Sequence, residues 1–347
     1  MLRKIAVFLI IIVMAVSMTS CAKKTTRYEA EFIGYFDTLT KIVTYTESKE
    51  EFTNHSQLIY DNLKIYHELF DIYNDYLNIN NIKTINDNAG IKPVKVDKRI
   101  IELLLFSKEW YGKTNGNLNV AMGSVLKIWH EYRTEGLDDE ANAALPPMEQ
   151  LTEAAKHTDI NKVIIDEANS TVFLEDPLMS LDVGAVAKGF AIEKVTLEAI
   201  ESGFDSGLIS VGGNIRAIGN KGLDNQLWNL GIQNPDLESS QSNLHIVYLT
   251  DMSVVSSGDY ERYYTVNGRN YNHIIDPVTL FPAELFHSVT IICRDSGVAD
   301  ALSTSLFLMP LDKGAELINS LENTEALWVL GSGELQYSEG FEQYIKK

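Results

Sequence analysis

The chain is 347 residues long and 45% hydrophobic, enough to bury a large core in one or two domains and unlike a disordered chain. Its 29 basic and 48 acidic residues give a formal charge of −19, which excludes nucleic acid and anionic membrane surfaces as general partners. A phosphorylated ligand would therefore need a metal ion or local basic groups to offset repulsion. Cys21 and Cys293, the two cysteines, have no spacing typical of a metal site or disulfide framework.

In chain order, Arg3 and Lys4 precede the apolar run from Ile5 to Val16, too short for a membrane-spanning helix and suited to an export signal. The following Ser17-Met-Thr-Ser-Cys21 resembles the lipobox of bacterial lipoproteins. That resemblance implies a signal peptide over residues 1–20, lipidation at Cys21 and an exported protein anchored to the outer face of the cytoplasmic membrane. Residues 21–30 would be a tether and residues 31–345 the folded domain.

Residues 31–45, rich in β-branched and aromatic side chains, predict one strand. Apolar residues at helical spacing predict a long helix from Lys49 to Tyr73, and a second from Asp97 to Gly112, with an asparagine-rich loop at residues 74–90 between them. Thr114 to His130 reads as a loop leading into a core helix, residues 131–146 as a charged surface insertion, and Pro147 as the first turn of a short helix through His157. Lys162 to Asp166 and Thr171 to Glu175 flank a turn and predict a β-hairpin. Asp182 ends a strand-like segment, and the small-residue turn after it opens a helix marked by Ile192, Val195 and Ala199. The N-terminus of that helix could receive an anion beside Lys188, whereas either residue alone reads as a cap or a solvated charge.

Gly207 to Gly219 predicts two strands around Gly212-Gly213-Asn214, and further strands are expected at residues 227–235, 243–249 and 288–293. Ser256-Ser257-Gly258 reads as a turn of small residues. Asn267-Gly268 is a hairpin signal because both residues accept positive φ, and it predicts strands from Tyr260 to Val266 and Asn270 to Ile275. The second strand would end at His273-Ile274-Ile275-Asp276-Pro277 and deliver polar side chains to a sheet rim. Asp300 and Thr304 lie four apart, on one face of an expected helix from Ser296 to Leu308. That oxygen pair suits a hard cation such as Mg2+, although it also fits a cap and a back-bonded hydroxyl.

Six stretches together, in order and over nearly the whole chain beyond the tether, resemble the ApbE-type FAD:protein FMN transferases. They are Asp182 to Gly189, Ser210 to Asn214, Gly231 to Pro235, Ser256 to Arg262, His273 to Pro277 and Ala299 to Thr304. The resemblance implies an α+β fold of mixed or antiparallel sheets with helices, two subdomains flanking an FAD cleft. It implies an Mg2+-dependent enzyme that transfers FMN from FAD to a Thr or Ser hydroxyl of an exported or membrane redox protein, releasing AMP. The metal site would be the Asp300 carboxylate, the Thr304 hydroxyl and the Ala185 carbonyl. Phe36, Tyr73, Asn117, Leu118, Asn119, Asp182, Lys188 and Ile274 match flavin-nucleotide contacts, and Ser257, Gly258 and Asp259 match a turn against the nucleotide. His273 would be the catalytic base and Asp276 its orienter. Asn119, Asp37 and Leu280 depart from the family pattern, which commonly has Asp, Gly and Gly there. The alternatives are an FAD pyrophosphatase, giving the phosphate to water, and a lipoprotein that only carries flavin.

Overall fold

The computed structural model describes residues 25–345 apart from residue 224; the expected signal peptide and Cys21 lie outside them. The hairpin of β1 (Thr26–Ile33) and β2 (Leu39–Thr46) is followed by α1 (Lys49–Phe70), α2 (Ile82–Asp87), β3 (Val94–Lys95), α3 (Lys98–Lys113), α4 (Gly123–Asp138) and α5 (Met148–Ala155). A small hairpin, β4 (Val163–Asp166) with β5 (Thr171–Leu174), precedes α6 (Ala187–Glu201), β6 (Gly207–Val211), β7 (Asn214–Ile218), β8 (Trp228–Gln233), β9 (Asn243–Leu249) and β10 (Ser253–Gly258). The chain continues through β11 (Tyr263–Val266), β12 (Arg269–Asn272), β13 (Phe286–Cys293), α7 (Ser296–Phe307), α8 (Leu311–Asn319), β14 (Glu325–Leu330) and β15 (Leu335–Tyr337). No helix among the described residues is long and apolar enough to cross a membrane.

The α+β expectation holds, and the main sheet is antiparallel rather than mixed. It has eight strands in the order β1-β2-β6-β7-β10-β13-β14-β15, and each neighbouring pair is antiparallel. Side chains alternate across its strands, so the inner strands feed two cores. Ile42, Ile209, Val255 and Ile291 pack with residues of α1, α6 and α7 on one face. Val43, Ala217, Val254 and Ile292 pack with the β8–β9 hairpin and Phe341 on the other. A third cluster joins α4 to the β11–β12 hairpin through Val125, Trp129, Tyr264 and Val266.

Several expectations need correction. The single strand expected over residues 31–45 is a hairpin, because residues 34–38 turn: Gly34, Phe36 and Asp37 have φ of 130°, 54° and 52°. Residues 26–30, assigned to a tether, are rungs of β1 paired with Ile42 to Thr46. The asparagine-rich loop contains α2, whose cap Asn81 accepts from Thr84 N–H at 3.0 Å while the Thr84 hydroxyl accepts from Asn81 N–H at 3.2 Å. Residues 131–138 are no insertion but the second half of α4, held because Gly136 lies against the Tyr264 ring and a Cβ there would come within 2.7 Å of it.

Ser256 to Gly258 is not a turn. It is the end of β10, paired with Thr290, Val289 and Ser288 of β13. The β11–β12 hairpin is present and shorter than expected, with Asn267 and Gly268 at φ of 52° and 78°. The Gly212-Gly213 turn, with φ of 56° and 87°, joins β6 to β7 as expected.

Candidate functional site

A cavity of about 750 Å3 lies where α6, α7, the ends of β7 and β10, the β1–β2 turn and the α4–hairpin cluster meet. Its volume falls in the range of small-molecule sites. It gathers nearly all the residues singled out in the sequence: Phe36, Tyr73 and Asn117 to Asn119 on one side, Asp182, Ala185 and Lys188 before and within α6, Asp300 and Thr304 on α7, and Ser257, His273 and Ile274. Gly258, Asp259 and Asp276 are not among its lining residues.

The α6–α7 junction begins with an incomplete helix. Val186, the N-cap of α6, supplies no side-chain hydrogen bond, so the first-turn N–H groups need partners from elsewhere. Asp300, 3% exposed and across on α7, accepts from Gly189 N–H through Oδ2 at 2.8 Å. Its Oδ1 stays 3.8 Å from Lys188 Nζ. One carboxylate oxygen is therefore structural and the other remains available at the cavity.

The helices cross closely because Gly189 has no side chain. A Cβ there would sit 2.3 Å from Ser296 O and 2.4 Å from Asp300 Cβ, both parts of the facing helix. Deeper along α6, buried Glu193 receives Arg216 Nε–H at 3.2 Å and Ser296 N–H at 2.9 Å, binding α6, α7 and β7 to one another. Gly189→Ala is expected to cost about 1–3 kcal/mol by overpacking and to move Asp300 from its place, read as a lower melting temperature.

Thr304 lies one turn from Asp300 on the same face, with its Oγ1 3.4 Å from Ser257 Oγ. Ser257 also bonds Ser303 Oγ at 2.9 Å, so the end of β10 is docked on α7. The oxygens of Asp300, Thr304 and Ala185 are the hard donors that a cation such as Mg2+ prefers, and all three residues reach the same cavity. The donor set fits the ion.

On the opposite side, His273 follows β12. Its Nδ1 lies 3.2 Å from the Arg262 carbonyl oxygen. A carbonyl only accepts, so Nδ1 carries the proton and Nε2 keeps its lone pair. Although the ring is partly exposed to the cavity, its surroundings are mostly protein. Burial, with Arg262, Arg133 and Lys188 nearby, pushes its pKa down to about 3. The imidazole is neutral at physiological pH.

Asp276 is not the orienter expected for it. Its Oδ1 accepts from Val278 N–H at 2.6 Å and Thr279 N–H at 3.0 Å, which builds the turn after Asp-Pro, and the Arg262 carbonyl takes the orienting place. Gly258 and Asp259 are corrected likewise. A Cβ on Gly258 would meet the Tyr260 ring at 2.3 Å, and Asp259 pairs with His287 Nδ1 at 2.8 Å. Both belong to the end of the sheet.

Tyr73 is projected by a turn around Asp71, whose Oδ1 accepts from Tyr73 N–H at 2.6 Å and Asn74 N–H at 3.1 Å. Tyr76 Oη donates to Asp71 Oδ2 at 2.7 Å and lies 3.3 Å from His67 Nε2, while His67 Nδ1 accepts from Phe36 N–H at 3.3 Å. That chain of bonds fastens the β1–β2 turn to the cavity wall.

The three departures have local reasons. Asn119 accepts from Ala121 N–H at 2.9 Å and donates through Nδ2 to Thr158 O at 2.9 Å, a donation that a carboxylate could not make. Asp37 and Leu280 occupy the left-handed region that favours glycine, with φ of 52° and 62°. Leu280 is held there by Trp129 Nε1–H on its carbonyl at 2.9 Å and by burial in the α4 cluster.

Sequence reasoning missed the charges that face His273. Arg133, from the stretch expected to be an insertion, reaches His130 Nδ1 at 2.9 Å and lines the cavity with Arg262 and Glu261. The His130–Arg133 spacing of three on a continued helix was the available signal. Burial raises the pKa of the carboxyls of Asp182 and Glu261. In a chain of charge −19, three cations therefore converge on one cavity, as an anionic ligand requires.

A family profile described as ApbE family matches residues 36–328. The FAD:protein FMN transferase of Treponema pallidum is 34% identical over 278 residues, 76% of this chain and 75% of that protein. The enzyme of the same description from Klebsiella pneumoniae is 30% identical over 272 residues, 76% and 80% of the two chains. Among solved structures, the ApbE protein of Thermotoga maritima superposes with a TM-score of 0.81 at 28% identity, covering 93% of this chain and all (100%) of that one. The flavin transferase ApbE of Vibrio cholerae, at 20% identity and a TM-score of 0.74, shares the fold over 92% of this chain and 100% of its own.

Proposed function

The chain belongs to the ApbE family, and on that premise we propose that it is an FAD:protein FMN transferase. The observation that carries the reading is the convergence of Lys188, Asp300, Thr304 and Ala185 with a neutral His273 in one cavity. FAD would lie in the cleft between the sheet–helix body and the α4–hairpin cluster, two subdomains in this reading. Phe36, Tyr73, Asn117 to Asn119, Asp182 and Ile274 would border the flavin or adenine, with Lys188 beside the phosphates.

Mg2+ held by Asp300, Thr304 and the Ala185 carbonyl would neutralise charge on the diphosphate and make AMP a better leaving group. Lys188 would add a fixed positive charge beside the same oxygens. A Thr or Ser hydroxyl of the acceptor would approach the FMN phosphorus in line with the bridging oxygen. As the new O–P bond forms and the bridging P–O bond breaks, the hydroxyl proton would pass to His273 Nε2. His273 would hold its ring in place through Nδ1–H on the Arg262 carbonyl.

In the unliganded protein the imidazole is a weak base, because burial and three cations depress it. A bound diphosphate would offset Arg262, Arg133 and Lys188 and raise its proton affinity when the base is needed. Binding of FAD is therefore expected to shift the His273 titration upward, read from the imidazole resonances by NMR; an unchanged titration would count against a diphosphate near this ring.

Acceptors would be exported or membrane redox proteins, and the chain would be tethered through lipidated Cys21. Cys21→Ser should release it from membranes into the soluble fraction. The activity is tested by incubating the domain with FAD, Mg2+ and an acceptor, followed by mass spectrometry and nucleotide analysis. FMN on the acceptor with equimolar AMP supports transfer. Free FMN with AMP would instead assign a pyrophosphatase, and unchanged FAD a carrier.

A further inference from the structure

Asn214 opens β7 directly after the Gly212-Gly213 turn and pairs with Val211 of β6, but the amide donor of its side chain has no partner among the described residues. The residue is 2% exposed, lines the cavity, and its buried Nδ2 makes no hydrogen bond among the described residues. Burying an amide without a partner destabilises a protein, so such groups are few in folded chains. Thr40 Oγ1, Thr196 Oγ1 and Ser296 Oγ are also buried without partners, but their residues do not line the cavity. Asn214 is where a ligand could meet the unmet donor.

Its position limits the kind of ligand. Side chains two apart on a strand share a face, so Asn214 lies on the face of β7 from which Arg216 reaches Glu193 of α6. Both elements enter the cavity on moving back along the chain, from Arg216 to Asn214 and from Glu193 to Lys188. β7 also packs against α7, which carries Asp300 and Thr304. The amide thus belongs to the wall that holds Lys188 and the candidate cation ligands.

An N–H donor on that wall complements an anionic oxygen. A carboxylate in its place would add a further negative charge to a cavity already lined by Asp300 and Glu261. We propose that Asn214 is a phosphate-binding residue, donating Nδ2–H to an oxygen of the ligand's diphosphate beside Lys188. The assignment rests on the flavin-nucleotide reading of this cavity. It explains why the protein keeps an uncompensated amide in its core: the bond is completed only in the complex.

The test uses Asn214→Asp, which keeps the shape and removes the donor, and Asn214→Leu, which keeps much of the volume without polarity. FAD, ADP and riboflavin are titrated in EDTA, and melting temperature is measured without ligand. Loss of a hydrogen bond to a charged group lowers affinity by about ten- to hundredfold. Both variants should lose FAD and ADP affinity on that scale and bind riboflavin, which has no phosphate, within about twofold of the original chain. Asn214→Leu should melt at the same temperature as the original chain or higher.

Unchanged FAD affinity would overturn the proposal. An equal loss for riboflavin would place the contact on the flavin ring instead, and a lower unliganded melting temperature for Asn214→Leu would make Asn214 structural. Failure of the original chain to bind FAD while it binds ADP would remove the flavin reading alone, with the ADP arm still deciding the phosphate contact. Binding of neither would overturn both.

Discussion

His273→Ala is expected to reduce FMN transfer by at least about a hundredfold, the lower end of what a positioned base contributes, with FAD affinity nearly unchanged. The separation follows from geometry. Nδ1 is committed to the Arg262 carbonyl, which leaves Nε2 as the atom that can accept a proton. Single-turnover transfer and FAD titration are the two measurements, and full transfer by the variant would remove His273 from the mechanism.

The same substitution has a pH signature in stability. An unfolded histidine has a pKa near 6.5, and the folded value is pushed down to about 3. Between those values the unfolded chain binds a proton that the folded chain does not, so acid favours unfolding. The contribution of His273 to stability is complete above about pH 6.5 and is lost as the pH falls toward 3. Denaturant unfolding should therefore show the original chain losing stability relative to His273→Ala as the pH is lowered from 7.5 to 5; a constant difference would mean that the folded ring titrates normally.

Asp300→Asn is expected to lower transfer by about three orders of magnitude, since a cation stabilises charge on a transferring phosphoryl group by several kcal/mol. Folding should be nearly unaffected. An asparagine oxygen can still accept from Gly189 N–H, replacing the Oδ2 bond that completes the first turn of α6. Asp300→Ala would leave that buried N–H without a partner at a cost of about 1–3 kcal/mol. Calorimetric titration with Mg2+ and thermal unfolding separate the two roles: Asn loses metal binding alone, whereas Ala loses metal binding and stability. Intact Mg2+ binding in Asp300→Asn would exclude Asp300 as a ligand.

Much of the secondary structure was legible because its signals are local. Asn267-Gly268 and Gly212-Gly213 specify tight turns through positive φ, and both hairpins are present. Helical spacing placed α1, α3, α6 and α7 to within a few residues. Asp300 and Thr304 were visible as a pair because the α-helix repeat puts residues four apart on one face. Errors arose where a local pattern had two outcomes. Ser256 to Gly258 has turn composition, yet pairing with β13 makes it a strand, and Asp276 sits close in sequence to His273 but spends its carboxylate on its own turn.

The sequence by itself determined the family, the overall charge, the periodic elements and the cavity residues that fall in recognisable motifs, since each is written in composition or in short ordered motifs. The tertiary structure decided what those residues can do. The packing of α7 on α6 divides the Asp300 carboxylate between Gly189 and the cavity, the packing of α4 on the β11–β12 hairpin brings Arg133 near His273, and the close packing of β7 against both helices leaves the Asn214 Nδ2 donor buried without a partner among the described residues. Hydrogen bonding, desolvation and charge proximity act between atoms close in space, and these groups are far apart along the chain.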